Sequence, residues 1–210
     1  MKTEPNLKAQ NSSTLWLFFT FQIALLISFF FATYFDEVLS DYQSLLTVRV
    51  SGILIAPLVL YIVNGVLSSN FKSALVFWRY KNVLPGCRAF SLLGPKDFRV
   101  DMNKLTVIHG ELPTAASEQN RLWYQIYRLN KDEPLILGSH RRFLLGRDIV
   151  GIAFLFLILS GIPFAIFGNK PFNILYLITL LVIYLVTMVV ARNHGNRFVT
   201  NVLSIESTSI

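Results

Sequence analysis

Four stretches of this chain are long, apolar and free of charge, and they limit what it can become. Residues 15–35, 50–69, 149–167 and 172–191 contain no Asp, Glu, Lys or Arg. Each approaches the roughly 20 apolar residues needed to cross the ~30 Å hydrocarbon core of a bilayer. Composition agrees. Hydrophobic residues make up 53% of the 210-residue chain, Phe alone accounts for 18, and only 15% of residues are charged, where a soluble domain carries about 25%. The chain therefore reads as an integral membrane protein.

The flanks support four spans. Trp16 and Tyr34 lie near the ends of the first stretch, where amphipathic aromatics favour the membrane–water interface. A secretory signal is a poor fit, because the run is too long and no small-residue cleavage site follows it. Residues 1–14 are polar and predict a disordered tail. In the second stretch, Pro57 predicts a kink. Asn64 is a candidate intramembrane polar residue that bonds to another helix, with Gly65 allowing close approach. The third stretch holds Gly151, Gly161 and Pro163, and the fourth holds Tyr176 and Tyr184.

Charge gives the orientation. The turn at 36–43 carries Asp36, Glu37 and Asp41 and no cation, whereas residues 71–147 carry thirteen Lys or Arg. Arg192 and Arg197 follow the fourth stretch, and Lys170 sits alone in the short turn 168–171. Lys and Arg collect in cytoplasmic loops, so both termini and the middle stretch are expected in the cytoplasm. The net charge of +7 reads the same way, with direct nucleic-acid binding the weaker explanation. Arg49, near the outer end of the second span, either snorkels to pair with Asp36, Glu37 or Asp41 or lines a pore.

The expected fold is mainly α: a polytopic membrane protein with four transmembrane helices in two hairpins, and a small α+β or α cytoplasmic domain between helices 2 and 3. Its divisions are a tail at 1–14, hairpins at 15–69 and 149–191, the cytoplasmic domain at 70–148 and a tail at 192–210. Residues 70–82 predict a helix leaving the membrane. Phe71, Leu75 and Trp78 share one face, and Lys72, Arg79 and Lys81 face anionic headgroups. A short helix is expected at 95–105, with short strands at 105–108 and 135–137. Asp97 and Asp101, among Lys96, Arg99 and Lys104, read as surface ion pairs.

Residues 111–130 predict the clearest helix of the domain, capped by Thr114 or Ser117. Its apolar face is Leu122, Ile126 and Leu129, beside Trp123 and Tyr127. Arg121, Trp123 and Arg128 are its candidate partner-facing residues, although aromatics at this spacing also suit a small core. Arg141, Arg142 and Arg147 form the densest cation cluster. They are candidate contacts for lipid headgroups or another anion, or a topological stop. A stretch of this length makes a marginal core alone, so packing on the membrane and against copies of itself is expected.

No catalytic constellation stands out. His109, His140 and His194 lack metal-ligand spacing, and neither a phosphate loop nor a nucleophile elbow is present. Cys87 is the single cysteine, which precludes an intrachain disulfide. We expect no enzyme activity, metal or cofactor. Three classes remain: a membrane effector, a non-catalytic anchor or adaptor for a cytoplasmic partner, and a lipid-related or transport protein. A short, basic, two-hairpin membrane protein without catalytic groups resembles the small transmembrane effectors of bacterial anti-phage systems, of the retron, cyclic-oligonucleotide and Kiwa types. That resemblance implies an inner-membrane protein that oligomerises and permeabilises the membrane when a defence-system partner, protein or nucleoprotein, triggers its cytoplasmic domain. It carries over no site residue.

Overall fold

The computed structural model describes residues 7, 9–40, 65 and 67–208. Residues 41–64 lie outside these, and with them most of the second apolar stretch, Arg49, Pro57 and Asn64. The described residues are almost entirely helical. The helices are α1 (Ser12–Ser40), α2 (Ser69–Phe77), α3 (Met102–His109), α4 (Ala116–Leu129), α5 (Pro134–Phe156) and α6 (Phe172–Thr208). A 3-10 turn at Pro85–Arg88, a π turn at Ala89–Leu93 and a single α turn at Gly94–Lys96 join α2 to α3. After α5 comes a π turn at Leu157–Gly161, and the helix resumes over Ile162–Phe167.

Three of these helical stretches are long and apolar enough to cross a membrane: Ala9–Tyr34, Pro134–Phe167 and Phe172–Thr208. Burial makes the same point. Only 11% of the apolar window of the first is buried, and Leu17, Ile166 and Phe167 are 71%, 67% and 80% exposed. Water does not tolerate apolar surface on that scale, whereas lipid does. The chain is thus a mainly α protein with the character of a membrane protein.

The chain divides into two compact units, one of Ala9–Ser68 with Asp148–Thr187 and one built chiefly of Ser69–Arg147 with Met188–Ile210. We call them the apolar unit and the helical unit. The core of the apolar unit is Phe19, Ile152, Leu155, Phe156, Tyr176 and Leu180. Phe19 meets Phe156 edge-on at 5.6 Å. The π turn places Ser160 Oγ 2.8 Å from the Tyr176 hydroxyl, so two polar groups at membrane depth satisfy each other. Gly161 is held small because a Cβ there would lie 2.9 Å from Leu180 Cδ1.

The helical unit packs around α4 and the last part of α6. Trp123 stacks on Tyr127 at 5.8 Å and meets Phe198 edge-on at 5.2 Å. Phe198 stacks on His140 at 4.7 Å, with the rings within 3° of parallel. α5 and α6 approach closely: a Cβ on Gly146 would lie 3.0 Å from Ala191 Cα. Cys87 is buried, and that burial raises its thiol pKa.

Several sequence expectations change. Both expected strands are helical, since residues 105–108 lie in α3 and 135–137 in α5. The short helix expected at 95–105 forms instead as α3, with the Asp101 carboxylate accepting from the Lys104 amide at 3.1 Å as its cap. α4 begins at Ala116, and its cap residue is Ala115, whose methyl group cannot accept a hydrogen bond, so neither Thr114 nor Ser117 caps it. The expected N-terminal tail gives way to helix from Ala9. The expected C-terminal tail is the last part of α6, and it buries Phe198, Val199, Val202 and Leu203. In α2 the buried residues are Lys72, Ser73, Val76 and Phe77. Phe71 and Trp78, of the face read from spacing, are exposed, whereas Lys72, expected at the headgroups, is buried.

Candidate functional site

The chemistry-bearing feature of the helical unit is a cationic groove of about 670 Å³. Three segments line it. Leu93 and Lys96 to Arg99 come from the loop before α3, Leu135, Ser139 and Arg142 from α5, and His194, Asn196, Arg197, Thr200 and Asn201 from α6. Its volume falls within the roughly 300–1,000 Å³ usual for ligand sites.

The loop owes its shape to a hydrogen-bonded core. Arg99 grips Asp97 through two parallel bonds, Nε to Oδ1 at 3.0 Å and Nη2 to Oδ2 at 2.7 Å. The Arg99 amide also donates to Asp97 Oδ1 at 3.2 Å, and Arg99 Nη2 reaches Thr200 Oγ1 on α6 at 3.3 Å. This paired guanidinium holds the Asp97 carboxyl well below the usual carboxylate range. Gly94 fits because a Cβ there would lie 2.8 Å from the Met102 sulfur. At the far end, the Asp101 amide donates to Ser207 Oγ at 3.3 Å.

The electrostatics of the groove are one-sided. Asp97 is its single acidic lining residue, and Arg99 occupies it. Lys96, Arg142 and Arg197 have no carboxylate partner among the described residues. His194 lies beyond the apolar run ending at Ala191. Its pKa is lowered by burial and by the nearby Arg142 and Arg197 guanidiniums. Phe98, 97% exposed, stands at the rim.

The residues singled out from the sequence separate. Arg142 lines the groove; Arg141 is exposed one position away; Arg147 is buried, 7% exposed. The three arginines therefore do not form one contact surface. On α4, Arg121 and Arg128 are exposed, whereas Trp123 is a core residue whose indole N–H points to the Val199 carbonyl at 3.4 Å. Leu129, expected on the apolar face, is 77% exposed. Arg49 and Asn64 lie outside the described residues.

A second set of cations is structural. Arg192 Nε and Nη2 donate to the Val76 carbonyl at 3.2 and 3.1 Å, near the C-terminal end of α2. Arg88 Nη1 donates to the Asn82 carbonyl at 3.2 Å and lies over the Phe77 ring. These bonds fix the loop at 78–84, where Trp78 and Asn82 adopt positive φ. Among the described residues, no group of three or more His, Cys, Asp or Glu gathers closely enough to hold a metal ion.

Sequence reasoning missed Lys96, Arg99, His194, Arg197 and Thr200 as one site. A signal existed. Ala191, Gly195, Phe198, Val199, Val202 and Leu203 recur at three- and four-residue spacing, the pattern of a helix with one packed face. Reading it would have carried α6 past residue 191 and set Arg197 on the helix. Comparison with protein-family models, curated proteins and solved structures gave no match.

Proposed function

We propose that this chain is a membrane effector. In this reading the second apolar stretch is a fourth span, and the helical unit and both termini are cytoplasmic. The groove receives an anionic trigger, and the spans respond, as an oligomer, by permeabilising the membrane. The observation that carries the proposal is the continuity of α5 and α6. Each supplies groove residues from its polar part and continues, within one helix or through a single π turn, into an apolar stretch fit to cross a membrane. A ligand that binds Arg142 and Arg197 together acts on the ends of two spans, and it biases whichever arrangement of those helices it binds better. The resemblance to anti-phage effectors supplies the setting, a bacterial inner membrane during infection.

The test is membrane potential in cells expressing the chain together with its trigger. Rapid depolarisation is expected. Growth arrest with unchanged potential would contradict the effector reading and favour an anchor that recruits a cytoplasmic partner.

A further inference from the structure

We infer that the groove is a binding site for a phosphate group, with Arg142 and Arg197 as its principal ligands and Lys96 as a third cation. The inference deepens the proposed role of the groove as a receiving surface and rests on that reading.

The donor set comes first. Arg142 on α5, Arg197 on α6 and Lys96 in the connecting loop approach one cavity from three directions, without carboxylate partners among the described residues. Guanidinium forks match the geometry of tetrahedral phosphate oxygens and bind them in pairs. Neutral hydrogen-bonding groups, Ser139 and Asn201, complete the lining. The one acid is already held by Arg99, so an arriving anion meets a paired carboxylate rather than a free one.

Position along the helices comes second. Arg142 precedes the apolar run at Ile149 by seven residues, and Arg197 follows the run ending at Ala191 by six. At 1.5 Å per residue both lie about 10 Å beyond the apolar segments. The headgroup layer is about 5–8 Å deep on each side, and an arginine side chain bridges the remainder. A lipid headgroup phosphate is therefore within reach, and so is a soluble phosphate compound arriving from the aqueous side. Phe98 at the rim suits either source: it inserts at the interface, or it covers a ring carried by the ligand.

The experiment uses the full chain in nanodiscs, with binding read separately from permeability. In the lipid arm, native mass spectrometry counts phosphatidylglycerol retained from mixed phosphatidylglycerol–phosphatidylcholine discs. In the soluble arm, calorimetry in pure phosphatidylcholine discs titrates pyrophosphate and ATP. The variant is R142Q/R197Q, and R121Q/R128Q on α4 is the charge-matched control. Binding in either arm is expected, weakened at least tenfold in the groove variant and changed less than twofold in the control. The arm that binds names the source of the phosphate. No binding in either arm, or equal losses in variant and control, would overturn the inference. Binding that leaves membrane permeability unchanged would instead refute the effector reading and leave the phosphate site standing.

Discussion

Two buried glutamines show how differently the two units are built. Gln119, in the helical unit, is 1% exposed and fully engaged. Its Oε1 accepts from the Phe90 amide, the Ser91 amide and the Ser91 hydroxyl, each at 3.1 Å, and its Nε2 donates to the Thr114 carbonyl at 2.8 Å. It ties the π turn at Ala89–Leu93 to α4. Gln22, in the apolar unit, is 0% exposed, and neither polar atom has a partner among the described residues. An unmet buried polar group costs about 1–3 kcal/mol. The helical unit thus engages Gln119 at both ends, while its neighbour Asn120 leaves Oδ1 buried without a partner among the described residues. The apolar unit buries a polar group that no described residue bonds. A polar residue at such a position is more readily explained by function than by folding.

That contrast is open to attack by mutation. The largest effect is expected from Gln119→Leu, which orphans the Phe90 and Ser91 amides and should destabilise the helical unit by about 3 kcal/mol. Trp123 fluorescence during urea unfolding of the detergent-solubilised chain, with Trp16 and Trp78 replaced by Phe in both proteins, reads it. Next comes Gly195→Leu, whose side chain would collide with Phe77 and Phe143, each within 3.0 Å of a Cβ placed there. Overpacking of this kind costs about 2 kcal/mol.

Gln22→Leu should move the other way, stabilising the apolar unit by about 1 kcal/mol, since no described residue bonds the buried amide that it removes. In the effector reading it also lowers ion flux. A loss of stability as large as that of Gln119→Leu would break the comparison.

A pH dependence tests the helical unit separately. His140 precedes the apolar segment of α5. Burial, reinforced by Arg147, pushes its pKa down to about 4 from 6.5. The unfolded chain therefore binds a proton before the folded one. Stability is full above about pH 6.5, falls as pH drops towards 4, and levels off below that. His140→Phe should flatten this slope in thermal melts between pH 4 and 7.

Three of the four expected spans were legible as apolar helices because absence of charge is a local property of a stretch. Residues 172–191 announce themselves without any knowledge of their neighbours. The groove was not legible, because it joins residues about a hundred positions apart: Arg99 reaches Thr200 across 101 residues. The clustered Arg141, Arg142 and Arg147 were conspicuous, yet helical geometry turns them to different surroundings and leaves only Arg142 in the groove. Trp123 looked available to a partner because aromatic spacing alone does not tell a packed face from an open one. The partners Phe198 and Val199 that bury it come from a segment read as a tail.

The central claim is that occupancy of the groove controls the spans. Ion flux from liposomes containing the purified chain tests it most directly, measured with and without the phosphate compound or anionic lipid that binds the groove. The account predicts flux that rises with ligand in the wild type and is lost in R142Q/R197Q, while R121Q/R128Q behaves as wild type. Flux independent of ligand, or unchanged in the groove variant, would contradict it.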